Sequence, residues 1–158
     1  MFDPTLSFED LKWIRSVWPG KLFVKGVLTE VDASKSLDAG ADGLVVSNHG
    51  GRQLDRAPIT LEALPVVREA VGEDVPIILD SGIMRGQDII GALALGADFT
   101  LIGRAYLYGL MAAGEAGVRK VFEILENEMT VTMQLMGAGS ISDLNPDMVR
   151  TYSRNLKS

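Results

Sequence analysis

Two segments of similar sequence, Asp38–Gly43 and Ala94–Phe99, each carry Gly-Ala-Asp directly in front of a short apolar run. In each segment the glycine can provide the left-handed residue that ends a helix, and the small alanine lets the chain pack tightly into a following strand. The recurrence predicts one helix-to-strand unit that is used more than once. If Gly-Ala-Asp is instead only a common helix-to-strand loop, a parallel sheet is still expected.

Short apolar runs alternate with amphipathic segments along the chain. The amphipathic segments predict helices at about residues 7–18, 30–39, 60–71 and 86–95, the first with Ser7 and Asp10 as an N-cap pattern. The alternation predicts an α/β fold with a parallel sheet, as in a (β/α)8 barrel. The apolar runs, predicted as four strands of the fully buried type, are Leu22–Val24, Gly43–Val46, Pro76–Leu79 and Phe99–Ile102.

Composition excludes several classes of function. With 158 residues, of which 47% are hydrophobic, the chain can bury one sizeable core. A net charge of −6 and scattered basic residues argue against nucleic acid as a partner. The absence of cysteine excludes disulfides and thiolate metal sites, and no metal is expected. No apolar stretch approaches the roughly 18 residues of a membrane span, and the first residues lack the features of a signal peptide, so a cytoplasmic protein is expected.

Polar residues follow each predicted strand. Parallel α/β folds place their sites at the carboxyl ends of the strands, so the chemistry is expected there. The four strand ends are Lys25-Gly26, Ser47–Arg52, Asp80–Gly82 and Gly103-Arg104.

The second strand end holds the only histidine of the chain, His49. A free imidazole titrates at about pH 6.5, which suits general acid-base chemistry at neutral pH, and the guanidinium of Arg52 can bind a carboxylate through two parallel hydrogen bonds. The alternative is a structural histidine that happens to follow a strand. Gly50 and Gly51 favour a sharp turn or a close approach to a ligand, and on local evidence both interpretations stay open.

The other strand ends suit an anionic cofactor. Gly82 and Gly103 free backbone amides to approach a phosphate, and Arg104 adds a positive charge. Lys25 can stabilise negative charge on an electron-rich ring, or it can be a solvated surface lysine. Asp80 can accept hydrogen bonds from cofactor hydroxyls or cap a helix. Ser47 can likewise bond a cofactor or its own turn.

These strand ends together resemble the second half of the FMN-dependent α-hydroxy-acid oxidases and dehydrogenases, a family that includes glycolate oxidase, mandelate dehydrogenase and L-lactate dehydrogenase. The resemblance covers nearly the whole chain, and the string Ser47–Asp55 is its most specific part. Gly103–Met111 and Gly114–Val118 look most like bacterial L-lactate dehydrogenases. The other motifs that carry the resemblance are Val24–Gly26, Leu79–Gly82, Ala92–Ala97 and Ile102–Arg104.

The resemblance implies FMN as cofactor and oxidation of an L-2-hydroxy acid, with L-lactate as the expected substrate. It implies that His49 is the catalytic base, which removes either the α-proton or the hydroxyl proton, and that Arg52 binds the substrate carboxylate. Lys25 would face the N1/O2 edge of the flavin and Ser47 would contact the FMN. The remaining residues implied in cofactor binding, along the ribityl chain and the phosphate, are Asp80, Ser81, Gly82, Ile83, Met84, Gly103 and Arg104.

The chain departs from the family pattern in two ways. Many members have an arginine at the position of Met84, so here either Arg85 substitutes for it or Arg104 acts more nearly alone. The chain also matches only barrel strands five to eight and the closing helices. We therefore expect one half-barrel domain, with four units in residues 1–114 and C-terminal helices in 115–158.

Half a barrel leaves open sheet edges. We therefore expect a homo-oligomer or pairing with a separate N-terminal half-barrel. Two alternatives to an active enzyme also stay open, namely an inactive FMN- or phosphate-binding module and a structural fragment.

The C-terminal segment is predicted to cover the barrel. A last short helix should begin with Asn145 as its cap and Pro146 in its first turn. An apolar stripe in the preceding helix is expected to be core, and its members are Val118, Val121, Phe122, Leu125, Met129, Met133 and Met136.

Overall fold

The computed structural model describes residues 5–150. Helices and strands alternate through the first two thirds of the chain, and helices follow. The α-helices are α1 (Phe8–Val17), α2 (Glu30–Asp38), α3 (Thr60–Val71), α4 (Gly86–Ala94) and α5 (Arg104–Met136). The strands are β1 (Phe23–Val27), β2 (Gly43–Val46), β3 (Ile77–Leu79) and β4 (Phe99–Thr100), and short 3-10 turns occupy His49–Gly51, Ile141–Asp143 and Pro146–Met148.

The four strands form one parallel sheet in the order β1-β2-β3-β4. Each strand therefore pairs with the next one along the chain. A doubly wound sheet would reverse its order at a switch point, whereas a barrel adds its strands in sequence. The order is that of a partial barrel, and within residues 5–150 β1 and β4 are its edges.

The hydrophobic core lies between one face of the sheet and the helices. Leu44 and Val46 of β2 and Ile77 and Leu79 of β3 are at most 1% exposed and pack in this core with residues of the helices. Side chains alternate across a strand, so the next residues point to the other face. On that other face Val45 of β2 is 5% exposed, whereas Ile78 of β3 is only half-buried.

The prediction that all four strands are fully buried is wrong for the outer two. Phe23 of β1 is 38% exposed and Phe99 of β4 is 62% exposed. Both strands have a neighbour on one side only among the described residues. Hydrophobic composition alone predicted the strands but could not predict that the outer ones lie at edges.

Two strand boundaries also differ from the prediction. β1 continues to Val27, with an irregularity in its pairing between Lys25 and Val27 at Gly26. β4 ends at Thr100, so Leu101 and Ile102 follow the strand, although the Leu101 amide still donates to the Leu79 carbonyl at 2.9 Å. The bulge in β1 turns the chain at the strand end where Lys25 lies.

The first Gly-Ala-Asp joint connects α1, β1 and β2. Gly40 has the left-handed φ of 99° that the sequence predicts. The Asp42 carboxylate accepts hydrogen bonds from the Leu22 amide at 2.9 Å and from Arg15 of α1 at 2.9 Å. The aspartate therefore links the amino-terminal ends of β1 and β2 to α1.

The second joint makes the same bonds. Gly96 has φ 103°, and the Asp98 carboxylate accepts from the Ile77 amide at 2.7 Å and from Arg68 of α3 at 2.7 Å. Arg68 is only 7% exposed and also donates to the carbonyl of Gly72 at 2.7 Å. The predicted repeated unit is thus present, with an arginine–aspartate pair at each joint.

The predicted helix starts agree with the structure at both ends of the chain. The Ser7 amide donates to Asp10 at 2.7 Å at the start of α1. The Asn145 side chain accepts from the Asp147 amide at 3.2 Å, with Pro146 in the first turn. No helix within residues 5–150 is long and apolar enough to cross a membrane.

Helix α5 is interrupted at Ala113 and Gly114, where Gly114 has φ 58°. Of the predicted apolar stripe, Leu125 is buried at 3% exposure, whereas Phe122 is 54% exposed. The expectation that the whole stripe is core is therefore wrong for Phe122. A helical period alone does not determine how wide a face the rest of the protein covers.

Candidate active site

An open cleft of about 960 Å³ lies at the carboxyl ends of the strands. Residues that follow β2, β3 and β4 contribute to it, together with Lys25 in the middle of β1, as expected for a parallel α/β fold. The predicted site residues that line the cleft are Lys25, His49, Arg52, Asp80, Ser81, Gly82, Ile83, Met84, Gly103 and Arg104.

Ser47 lies beneath the cleft and does not line it. Its side chain is fully buried. Its hydroxyl accepts a hydrogen bond from the Lys25 ammonium at 2.7 Å and another from the His49 amide at 3.1 Å. Ser47, which follows β2, therefore supports both Lys25 and His49 from beneath the cleft.

Lys25 and Asp80 form an ion pair across the end of the sheet, with 2.7 Å between Nζ and Oδ2. Burial alone would raise the pKa of Asp80, but hydrogen bonds from Lys25, Ser47 and Ser81 outweigh it and lower the pKa below the ordinary value of 3.8. The carboxylate is thus ionised at neutral pH. It holds the ammonium at the edge of the cleft, where 41% of the Lys25 side chain is exposed.

The loop after β2 carries three consecutive residues in the left-handed region. The φ angles are 55° at His49, 70° at Gly50 and 72° at Gly51. Glycine adopts this conformation freely, whereas a histidine in it is strained. The Asn48 side chain supports the turn, because its oxygen accepts from the Gly51 amide at 3.2 Å and its nitrogen donates to the Pro58 carbonyl at 3.1 Å.

The imidazole of His49 lies over the end of β1. A Cβ atom on Gly26 would come within 3.0 Å of His49 Nε2. Gly26 also has a left-handed φ of 105°. The end of β1 is therefore open enough for the ring, and none of the described residues makes a side-chain hydrogen bond to the imidazole.

Arginine side chains supply the positive charge of the cleft. Arg104 follows β4 and donates from Nη2 to the Gly50 carbonyl at 3.1 Å, and Arg52 lines the same cleft. Arg85 is not among the lining residues, whereas Met84 is. Arg104 thus lies at the cleft and Arg85 does not, and the role of either arginine toward a phosphate stays a prediction.

Several lining residues were missed by sequence reasoning. They come from the segment after β4 and from the first turns of α5, which the sequence marked only as a string typical of one subgroup of relatives. Their nearness to a strand end was the available signal. They are Leu101, Ile102, Tyr106, Leu107 and Tyr108, together with Gln53 after β2.

The residues present fit an FMN group. The cleft volume lies within the range of small-molecule and cofactor sites, roughly 300–1,000 Å³. A Cβ atom on Gly82 or Gly103 would meet nothing within 4 Å, so both strand ends face open space in which a phosphate can approach the backbone. Arg104 stands beside Gly103, and Lys25 lies at the end of β1. Residues 5–150 contain no cluster of three or more metal-ligating side chains.

Known proteins match this chain over nearly its whole length. An L-lactate dehydrogenase of Chromohalobacter salexigens is 51% identical over 96% of this chain and 39% of its own length. A peroxisomal (S)-2-hydroxyacid oxidase of Arabidopsis thaliana is 49% identical over 99% of this chain and 43% of its own length. The structure of a soluble mutant of the membrane-associated (S)-mandelate dehydrogenase from Pseudomonas putida superimposes with a TM-score of 0.88 at 44% identity, covering 96% of this chain and 43% of that one.

The chain therefore spans about two fifths of the length of the relatives it matches. Its four parallel strands and closing helices correspond to the C-terminal part of a TIM barrel, as predicted. A family model described as FMN-dependent dehydrogenase matches residues 1–151. The chain belongs to the FMN-dependent dehydrogenase family.

Proposed function

We propose that these 158 residues are the catalytic C-terminal part of an FMN-dependent enzyme that oxidises an L-2-hydroxy acid, with L-lactate as its substrate. The observation that carries the proposal is one loop that presents His49 and Arg52 to a cleft beside Lys25. The names of the relatives support this class of reaction, since they include L-lactate dehydrogenase and (S)-2-hydroxyacid oxidase.

The cofactor site follows the charges of the cleft. The amides near Gly82 and Gly103 and the guanidinium of Arg104 would hold the phosphate. Lys25, held by Asp80 at 2.7 Å, would place its ammonium beside the ring. When bound, FMN supplies the acceptor for the two electrons that leave the substrate.

The chain's own residues would bind the substrate and move one proton. Arg52 binds the substrate carboxylate through its guanidinium fork and so fixes the α-carbon next to the imidazole. His49 then accepts a proton from the substrate, either from the α-carbon or from the hydroxyl group. In both cases the neutral imidazole is the active form and the product is the 2-oxo acid.

A second candidate function is cofactor binding without turnover. It is favoured by one observation, namely that none of the described residues makes a side-chain hydrogen bond to the His49 imidazole. A catalytic base needs a defined orientation, and a neighbouring group normally supplies it. In this candidate, Lys25 and Arg104 would hold FMN while the base stays unoriented.

We also propose that the sheet edges at β1 and β4 take a partner, either a second copy of this chain or a separate N-terminal half-barrel. The exposed edge side chains Phe23 and Phe99 support this. A cytoplasmic location stays a prediction.

Flavin spectroscopy on the purified chain tests the proposed function. Flavin absorbance after incubation with FMN, bleached anaerobically by L-lactate but not by D-lactate, is the expected result. His49→Gln should retain the colour and lose the bleaching. Colour without bleaching in the wild type would support the binding module, and no retained flavin would overturn both candidates.

A matched pair of arginine variants separates substrate binding from general charge effects. Arg52→Lys should raise the L-lactate concentration needed for half-maximal bleaching at least tenfold, because an ammonium cannot reproduce two parallel hydrogen bonds. Arg56 lies in the same loop but does not line the cleft. Arg56→Lys should therefore behave like the wild type, and equal effects of the two variants would contradict the role of Arg52.

A further inference from the structure

Two consecutive amides of the His49 loop are held by serine hydroxyls from two different strand ends. The His49 amide donates to Ser47 Oγ at 3.1 Å. The Gly50 amide donates to Ser81 Oγ at 3.0 Å. The left-handed backbone at His49 and Gly50 is thus fastened at two adjacent points.

Both hydroxyls also connect to the same ion pair. Lys25 Nζ donates to Ser47 Oγ at 2.7 Å, and Ser81 Oγ donates to Asp80 Oδ1 at 2.7 Å. Lys25 and Asp80 are themselves 2.7 Å apart. The bonds close a ring that runs from the His49 loop through both serines and back.

Ser81 is fixed in a way that commits its hydroxyl to this ring. It has a left-handed φ of 75°, and its carbonyl accepts from Thr60 Oγ1 at 3.1 Å. Thr60 is only 2% exposed, so this hydrogen bond comes from a buried side chain. The single proton of the Ser81 hydroxyl goes to Asp80, and one lone pair takes the Gly50 amide. The hydroxyl therefore has no donor left for a cofactor.

We propose that Ser81 is a positioning residue for His49, and that its hydroxyl serves the loop and not the cofactor. Its hydroxyl couples the β3 strand end to the loop after β2, so that the loop keeps the strained conformation that aims the imidazole into the cleft. The inference rests on the proposed function in one respect only, namely that His49 is the base whose position matters.

The single histidine of the chain allows a test that needs no activity. The variants are Ser81→Ala and Ser81→Gly, the second of which relieves the left-handed strain and so protects folding. The control is Ser36→Ala, which removes a hydroxyl that is buried, at 1% exposure, and bonded within α2 to the Asp32 carbonyl, far from the His49 loop in sequence. The readouts are the NMR signal of the imidazole Cε1–H, the rate of His49 modification by diethylpyrocarbonate, and FMN affinity by flavin fluorescence.

In both Ser81 variants the imidazole signal should move and the modification rate should rise by about fivefold, the factor expected for one lost hydrogen bond. The Kd for FMN should stay within about threefold, and Ser36→Ala should match the wild type in all three readouts. An unmoved imidazole signal in both Ser81 variants, or a Kd raised by about tenfold, would overturn the proposal. If the wild-type chain binds no FMN, the proposed function fails on that result, while the imidazole signal and the modification rate still decide the role of Ser81.

Discussion

His49 has a left-handed backbone conformation, which a histidine seldom adopts, and the next two residues, Gly50 and Gly51, have it as well. The sequence predicted the turn from Gly50 and Gly51, but nothing in it predicted that His49 and Ser81 would share the left-handed region. Hydrogen bonds between strand ends impose these conformations, and such bonds depend on the register of neighbouring strands. They become visible only in the folded chain.

A residue-scale prediction concerns Gly26, above which the imidazole lies. Gly26→Ala should lower the rate of lactate-dependent flavin bleaching by about 10- to 100-fold, because a Cβ atom 3.0 Å from Nε2 displaces the ring. Gly72→Ala is the matched control, since Gly72 also has a left-handed φ, 77°, but a Cβ there meets nothing within 4 Å. Both variants should lose about 1–2 kcal/mol of unfolding free energy in urea. Equal bleaching rates in the two would refute the steric explanation.

A second residue-scale prediction concerns acid stability. Because the pKa of Asp80 is lowered in the folded chain, its carboxylate stabilises the fold above the ordinary value of 3.8, and this contribution is lost as the pH falls through the folded pKa. Asp80→Asn should therefore be less stable than the wild type at pH 7, and the difference should shrink below about pH 4. Urea unfolding between pH 3 and pH 7 measures it. Asp74→Asn, on the exposed loop after α3, is the control for removal of a surface carboxylate and should be as stable as the wild type at pH 7.

At the scale of elements, helix α5 is two segments that cross where two glycines touch. A Cβ atom on Gly117 would lie 1.9 Å from the Gly109 carbonyl oxygen, and one on Gly109 would lie 2.5 Å from the Gly117 carbonyl oxygen. The first segment can thus lie directly against the second, which brings Tyr106 and Tyr108 to the cleft. Close backbone contact of this kind fixes the angle between the two segments more narrowly than side-chain packing does.

Gly117→Ala should therefore be strongly destabilising. The added methyl group has to separate two backbones, and we expect a loss of about 3 kcal/mol in urea unfolding. Gly91→Ala in α4 is the matched control, because Gly91 is also helical and a Cβ there meets nothing within 4 Å. That variant should be stabilised by up to about 1 kcal/mol through helix propensity. A neutral Gly117→Ala would show that the crossing is not tightly packed.

The elements also show how far the sequence alone could lead. The sequence predicted β2 closely because both of its faces and both of its edges are covered, so its composition and its environment agree. It misjudged the ends of β1 and β4, because a bulge and an open edge depend on what lies beside a strand. In the site, the strand-end rule, together with the family resemblance, identified ten of the lining residues. It could not identify Ser47 as a buried residue beneath the cleft, because that depends on side-chain direction. It also could not identify Tyr106 as a lining residue, because that depends on the crossing of the two segments in α5.

At the scale of the whole molecule, the sheet has two edges and an incompletely covered face within residues 5–150. Phe99 on β4 is 62% exposed, and Trp13 on α1 is 66% exposed. The first lies on an edge strand, where another strand could pair, and the second lies on the helix that precedes the other edge strand. The core between the helices and the sheet is therefore closed. The sheet is open where further strands would complete a barrel.

We accordingly expect the purified chain to associate. Light scattering coupled to size exclusion should give at least twice the chain mass of 17.0 kDa, or one chain joined to a separately supplied N-terminal half-barrel. Phe99→Lys should shift the population toward the monomer, because a lysine on an edge strand opposes pairing. Asp74→Asn changes the net charge by the same +1 away from the two edge strands and should not. A stable, soluble wild-type monomer would contradict the expectation.

The arginine–aspartate joints have a consequence for how such a molecule can change. Each joint links the strand that follows it to the strand and helix of the preceding unit, at the rim opposite the cleft, with the same bonds at Asp42 and at Asp98. A unit that carries such a joint can be copied within a gene, because each copy can make the same bonds to the unit before it. The residues at the other rim can then differ from unit to unit, as the lysine in β1 and the aspartate that follows β3 do. One rim thus stabilises the fold and the other carries the chemistry, so the fold can be duplicated while its chemistry varies.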